Sequence, residues 1–276
     1  MNNYEILEIK DIISETSSIK TFIFDWKMKG PKIPKAGQFV MVWSFSGVKD
    51  EKPMSISKID IQNEKIGITV KNIGKFTENL HNMDIGDKLG IRGPYGNGFD
   101  LSNIKNKNIL AIGGGVGMAP ISCFVDEAIA NNFNKVNIDV ISASVTKDEL
   151  LFLDRMENNG ANIFTCTDDG TCGFEGFATH RTIDLLRDSS YDLAVVCGPE
   201  IMMKGIFELL EEQNIPGQYS MERYMKCAMG ICGQCCVDNT GWRICIEGPI
   251  FSSEDLKKII EFGKYNRKAS GVKHYY

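Results

Sequence analysis

The chain has 276 residues, 43% of them hydrophobic and 24% charged, with a formal net charge of −5. That length allows about two domains and a small appendage, and the acidic balance argues against nucleic acid as the main partner. No apolar run reads as a membrane span, because Ile109–Val125 is broken by four glycines and a proline.

The start, Met1 to Glu5, lacks the basic and apolar regions of a signal peptide, so a cytoplasmic location is expected. From there to about residue 102 the chain reads as β structure. Tyr4–Ile9, Lys20–Phe24, Gln38–Trp43 and Ile66–Val70 are short, β-rich and separated by turn formers. Strands at this spacing predict a small antiparallel barrel or sandwich, interrupted by a helix near Thr77–Asn82. Lys52, Pro53, Met54 and Ser55 lie in this block, as do Gly74, Lys75, Phe76 and Thr77. A cation, a hydroxyl and a glycine turn before a helix can hold phosphate and a flavin edge, although ordinary strand and turn residues have the same composition.

At Asn108 the texture changes to strands alternating with helices, which implies a parallel sheet with crossover helices. Strands are predicted over Ile109–Ile112, Val136–Ser142, Asn162–Thr165 and Asp192–Cys197. Helices are predicted over Pro120–Asn131, Lys147–Asn158, Thr179–Leu186 and Ile201–Glu212. Gly113, Gly114, Gly115 and Gly117 form a turn between strand and helix, where backbone N–H groups can bind a pyrophosphate. The spacing is not G-x-G-x-x-G, and a tight turn without a ligand has the same pattern. Cys197, Gly198 and Pro199 end another strand and open another helix at the same sheet edge. Cys197 reads either as a neighbour of a bound nicotinamide or as a buried structural thiol.

Residues 220 to 250 lose the rhythm and hold Cys227, Cys232 and Cys235, with Cys245 downstream. C-x4-C-x2-C with a lone fourth cysteine is the spacing of a plant-type 2Fe–2S site. Zinc also accepts four thiolates, but its structural sites usually come as two short knuckles. Cys236 competes with Cys235. Neighbours on extended chain point to opposite faces, and the C-x2-C pattern favours Cys235. The nine cysteines leave an odd one, against a disulfide framework. Ser252 and Asp255 form an S-x-x-D box that predicts a last helix. The three histidines are scattered and no nucleophile elbow is present, so no catalytic side chain is assigned; bound cofactors would supply the chemistry.

These stations together resemble the ferredoxin–NADP reductase superfamily and, within it, the electron-transfer subunits of B-type dihydroorotate dehydrogenases. The family's R-P-x-S flavin segment is matched by Lys52, Pro53, Met54 and Ser55, and its G-x-G-T turn by Gly74, Lys75, Phe76 and Thr77. Thr69, Val70 and Lys71 resemble its flavin-contacting strand, and Gly93–Phe99 its Gly-Pro-x-Gly-x-Gly-Phe run. The nicotinamide loops are matched by Gly113–Pro120, by Thr167–Gly170 with Gly173 and Gly176, and by Cys197–Pro199. The most specific match is Met221–Cys235, with Cys245 and Glu247–Phe251.

The resemblance implies three parts: an FAD-binding antiparallel barrel over residues 1–102, a Rossmann-like NAD domain over 103–219, and a 2Fe–2S module over 220–276. It implies electron transfer from dihydroorotate through a partner's FMN, the cluster and FAD to NAD, in a heterotetramer of two copies of each chain. Lys52 departs from the family's arginine and loses its bidentate fork, and Phe76 stands where a glycine is usual. NAD is expected over NADP, since no arginine follows the strand ending at Ser142–Ser144. Two other readings stand beside this one. The partner could be that of a sulfide dehydrogenase, an NADH-dependent ferredoxin:NADP reductase or a hydrogenase, or the chain could be a zinc-binding interaction protein.

Overall fold

The computed structural model describes residues 4–45, 51–131 and 136–276; Met1–Asn3, part of the stretch read above for signal-peptide features, lie outside them. Six strands close an antiparallel barrel in the order β1-β2-β5-β4-β3-β6: β1 Glu5–Ser14, β2 Ile19–Asp25, β3 Phe39–Trp43, β4 Lys52–Asp60, β5 Lys65–Lys71 and β6 Lys88–Tyr95. Strand alternation fills it: Ile66, Ile68 and Val70 of β5 point inward onto Phe22, Phe24, Val40, Val42, Ile56, Leu89 and Ile91. Helix α1, Lys75–His81, begins two residues earlier than its expected start and buries Phe76 and Leu80 in this core. Each such burial is worth roughly 1.5–3 kcal/mol. Between β2, β4 and β5 a buried hydroxyl chain runs from Thr21 to Thr69 at 2.7 Å and from Thr69 to Ser57 at 2.8 Å.

The second body is a seven-stranded sheet. Its strands are β7 Asn108–Gly114, β8 Asn137–Ser144, β9 Asn162–Thr167, β10 Phe174–Glu175, β11 Leu193–Cys197, β12 Gly217–Ser220 and β13 Ile250–Ser252. The order is β10-β9-β8-β7-β11-β12-β13, parallel throughout except that β13 runs antiparallel to β12. Its helices are α2 Met118–Ala130, α3 Leu153–Asn158, α4 Ala178–Asp188 and α5 Glu200–Glu212. The helix expected over Lys147–Asn158 is divided: a single 3-10 turn, Lys147–Glu149, is followed by extended Leu150 and by Phe152 at φ 60°. That left-handed residue, costly for a bulky side chain, breaks the helix while Leu151 is buried in the core. After β7 the chain crosses to β8 on one side, and later to β11 on the other. The carboxyl ends of β7 and β11 therefore flank the switch point where open sheets of this kind bind ligands.

The cysteine segment follows β12, and β13 returns from it to the sheet, so the segment expected to be a separate module contributes a strand to the second body. Helix α6, Ser253–Leu256, begins at the anticipated box: Ser252 Oγ accepts the Asp255 N–H at 3.2 Å. A hairpin of β14 Tyr265–Arg267 and β15 Lys273–Tyr275 ends the chain. It is tied to the cysteine segment through Asp238, which accepts from the Tyr265 hydroxyl at 2.7 Å and from Arg267 Nη2 at 2.8 and 3.0 Å. These donors hold the Asp238 carboxyl down at about 2. A depressed carboxyl stabilises the fold above its unfolded value of roughly 3.9 and loses that contribution as the pH falls below it. Acidification from about pH 4 toward 2 is therefore expected to release the hairpin, read in the side-chain NMR signals of Tyr265 and Tyr275, and Asp238→Asn should release it at neutral pH. Among the described residues no helix is long and apolar enough to cross a membrane.

Candidate electron-transfer site

The four cysteines expected to act as ligands lie in one compact segment. Cys227 is half-buried and Cys232 exposed; Cys235 and Cys245 are buried. They associate two and two. The Cys232 N–H points at Cys227 Sγ, 3.4 Å away, and the Gln234 N–H at Cys232 Sγ, 3.5 Å away. Cys235 and Cys245 share a side-chain hydrogen bond. Burial raises the Cys227 thiol, but the N–H groups of Cys232, Met229 and Ile231 outweigh it and pull the thiol down to about 6. A loop that aims backbone donors at sulfur suits thiolate. It can do so because Ala228, Gly230 and Gly233 adopt positive φ of 55°, 75° and 68°. Burial pushes Cys235 up to about 12, and its neighbours Cys245 and Cys232 add to the effect.

Among the described residues no three His, Cys, Asp or Glu side chains close on one point as a single metal ion requires. Four thiols in two pairs fit a two-iron cluster, in which each iron takes two. Cys236 is half-buried and lies by Arg243 and Glu247, with its backbone bridged to Arg243.

The expected flavin residues share a slot in the barrel wall. The β4–β5 ladder ends at Ile56 and Ile68. Beyond it Lys52–Ser55 pair only with β3, and Thr69–Lys71 only with β2. The strands splay, and their facing edges have backbone groups to offer a cofactor, while Pro53 has no N–H to leave unmatched. Gly74 caps α1 beside this slot in extended conformation, with open space where a side chain would be. Thr77 closes the cap, its hydroxyl accepting from the Ile73 and Gly74 N–H groups at 3.0 Å. Phe76 offers only backbone here, because its ring is in the barrel core. Lys71 pairs with Glu149 at 2.9 Å, and Lys52 Nζ lies 5.6 Å from the Tyr224 ring centroid.

The two glycine stations of the sheet meet at its switch point. Gly113 pairs in register with Cys197. A Cβ on Gly117 would lie 2.4 Å from the Cys197 carbonyl oxygen, and one on Gly198 would lie 3.1 Å from the Gly114 nitrogen. Gly115 opens the turn with φ 54°. Two loops this close at the carboxyl edge of the sheet, one of them leading into the N-terminus of α2, form the kind of site where a pyrophosphate binds. The Thr167–Gly170 loop follows β9, two strands away. Burial raises the Cys197 thiol to about 12, with the Glu222 charge adding to the effect. Gly117→Ala forces the loops apart. Overpacking costs about 1–3 kcal/mol, so the KM for NADH should rise roughly tenfold or more with flavin content unchanged, as steady-state kinetics and absorbance would show.

Arg92, Glu51, Glu222 and Arg223 were missed as functional residues in the sequence. Glu222 lies close enough to Cys197 for its charge to act on that thiol. Arg223 is buried in an ion-pair network with Glu200 and Glu261. Glu222 and Arg223 do lie inside the Met221–Cys235 run, which was their only signal.

Comparisons with known proteins follow the same geometry. Residues 222–257 match the iron–sulfur cluster binding domain of dihydroorotate dehydrogenase B, and residues 111–208 match an oxidoreductase NAD-binding domain. A protein of Methanothermobacter thermautotrophicus is 52% identical over 98% of this chain and 97% of its own length. One of Methanocaldococcus jannaschii is 46% identical over 98% of each. Both bear the name "Probable dihydroorotate dehydrogenase B (NAD(+)), electron transfer subunit". Among solved structures, the NADH-dependent reduced ferredoxin-NADP oxidoreductase superposes with a TM-score of 0.80 at 26% identity, covering 95% of this chain and 94% of that one. Flavohemoglobin from Malassezia yamatoensis with bound FAD and heme shares the fold, with a TM-score of 0.64 at 20% identity over 77% of this chain and 57% of that one.

Proposed function

Because the chain belongs to the family of electron-transfer subunits of dihydroorotate dehydrogenase B, we propose that it carries electrons between a dihydroorotate-oxidising catalytic partner and NAD, through an iron–sulfur cluster and FAD. The observation that carries this reading is the presence on one chain of all three stations: paired thiols, a splayed barrel slot and a switch-point crevice. When bound, nicotinamide exchanges a hydride, flavin handles one or two electrons, and the cluster carries one at a time.

Cys227, Cys232, Cys235 and Cys245 would hold the cluster. The backbone N–H groups of Cys232 and Gln234, aimed at sulfur, would stabilise its negative charge. Lys52, Pro53, Met54 and Ser55 would line one wall of the flavin slot, and Thr69, Val70 and Lys71 the other. At the turn, Phe76 and Thr77 at the start of α1 would present backbone N–H groups to the pyrophosphate, and Gly74, whose own N–H is held by the Thr77 hydroxyl, would leave room for it. Gly113, Gly114, Gly115 and Gly117 would cradle the NAD pyrophosphate, with Cys197, Gly198 and Pro199 beside the nicotinamide. The high Cys197 pKa keeps that thiol neutral near pH 7, so it adds no charge where hydride passes.

Finer points belong to the same proposal. The partner carries FMN and assembles with this chain as a heterotetramer, two of each. Docking is supported by an apolar rim at the cluster loop, where Ile231 is 80% exposed and Ile246 43%. NAD is used rather than NADP, the complex works in the cytoplasm, and the three parts divide at residues 102 and 219. The ferredoxin-NADP oxidoreductase likeness favours a second reading, in which the partner is another NADH-linked enzyme.

An anaerobic NADH titration of the purified chain, followed by absorbance and low-temperature EPR, tests the reading. Flavin bleaching with a reduced 2Fe–2S signal is expected, then NAD-dependent dihydroorotate oxidation when the catalytic subunit is added. A colourless, zinc-bearing protein indifferent to NADH would sink it.

A further inference from the structure

Strand β6 leaves the barrel through a run from Arg92 to Asn97, and both ends of this run grip the cysteine segment. Arg92 is buried, 5% exposed. All five of its N–H groups are directed. Nε and Nη2 form a fork on the Glu51 carboxylate at 2.7 and 2.5 Å, and Nη1 donates to the Tyr95 hydroxyl at 2.9 Å. The remaining two reach the carbonyl of Cys227, at 2.8 Å, and of Lys226, at 3.3 Å. The rings of Tyr4 and Tyr95 flank the guanidinium, their centroids 5.6 and 5.3 Å away.

At the other end, the Asn97 N–H donates to the Gly248 carbonyl at 2.7 Å. The Asn97 amide donates to the carbonyls of Glu247 and Ile250 and accepts the Ile250 N–H, at 2.9–3.0 Å. Gly96 lets the chains meet, since a Cβ there would lie 2.4 Å from Pro249. The two grips therefore fall on the first cysteine of the set and just beyond the last.

Resting on the electron-transfer reading above, we propose that Arg92 and Asn97 are positioning residues: they clasp the cysteine loop to the flavin barrel and fix where the cluster sits relative to the flavin slot. A planar five-donor fork sets direction as well as distance, which a flexible ammonium does not. Glu51 balances the charge, so the grip acts on the loop's position. Electron transfer between two separated centres weakens as the distance between them grows, so a loop free to drift from the barrel slows it.

The test compares wild type, Arg92→Met, Arg92→Lys and Asn97→Ala, as full chains, in three readouts. The first is rapid-mixing kinetics with NADH: flavin bleaching should keep its wild-type rate while cluster reduction slows severalfold in Arg92→Met. The second is EPR of the reduced cluster, whose signal should shift in Arg92→Met and remain shifted in Arg92→Lys, at unchanged iron content. The third is amide exchange, expected to accelerate over residues 226–229 in the Arg92 variants and 247–250 in Asn97→Ala. This readout needs no cofactor and decides the clasp even if the wild-type chain neither bleaches nor gives a signal, an outcome that would remove the electron-transfer reading instead. Wild-type exchange in these segments, or full restoration of rate and spectrum by Arg92→Lys, would overturn the inference.

Discussion

Cys245→Ser is expected to empty the chain of iron and acid-labile sulfide while leaving flavin that NADH still bleaches. The loss should exceed the roughly 10- to 100-fold drop in metal affinity typical of removing an outer-shell partner, because a ligand itself is gone. Cys245 is buried against Cys235, and a serine hydroxyl there does not ionise near neutral pH. Transfer to the catalytic subunit should fall to background although the NADH half-reaction survives. Cys236→Ser is the control: its thiol lies by Arg243 and Glu247, and iron content and EPR signal should match wild type. If Cys236→Ser lost the iron and Cys235→Ser kept it, the ligand assignment would be reversed. Iron analysis with EPR on the three variants decides.

Arg223→Met is expected to cause the largest loss of stability of any single change in the second body. Arg223 is 3% exposed and meets Glu200, 6% exposed, at 2.5 Å and Glu261, fully buried, at 2.7 Å. Glu200 also accepts the Gly263 N–H at 2.9 Å and the Tyr276 hydroxyl at 3.0 Å, and Glu261 accepts the Asp238 N–H at 2.8 Å. The arginine thus holds together the start of α5, the cysteine segment and the tail. Removing one partner of a buried ion pair costs about 3–5 kcal/mol, because the charges left behind have no water. At about 2–4 °C per kcal/mol for a chain of this size, the Tm should fall by roughly 6–20 °C. Arg223→Lys should not rescue it, since a single ammonium cannot serve both carboxylates in the fork geometry. Calorimetry reads both variants, and an unchanged Tm for Arg223→Met would show the network to be energetically idle.

The features legible in the sequence were local ones. The cysteine spacing spans nine residues, so a short window contains it; the alternation of Ile66, Ile68 and Val70 marks β5; and the S-x-x-D box marks α6. Cys235 is buried and Cys236 half-buried, but the chain turns there, with the Cys236 N–H donating to the Gly233 carbonyl at 3.1 Å, rather than running extended as the adjacency argument assumed. What stayed hidden depends on distance along the chain. Arg92 bonds a carbonyl 135 residues later, and no pattern near Arg92 announces that. The slot between Lys52–Ser55 and Thr69–Lys71 exists because a ladder stops, a property of pairing rather than of either strand. Phe76, read as a turn residue, has its ring in the barrel core because an apolar side chain at the start of α1 faces inward. Strands β12 to β15 have three or four residues each, too few to show a period.

Strand β13 gives the sheet a closing edge. It covers β12 through the pairs Gln218–Ser252, Tyr219–Phe251 and Ser220–Ile250, and it belongs to the stretch that follows the last cysteine. A chain cut before residue 250 would leave β12 bare, a row of unsatisfied N–H and C=O groups that invites pairing with other chains. Trimming the molecule to its nucleotide-binding half would therefore yield a self-associating fragment rather than a smaller reductase, and the C-terminal segment serves as the sheet's protection against aggregation.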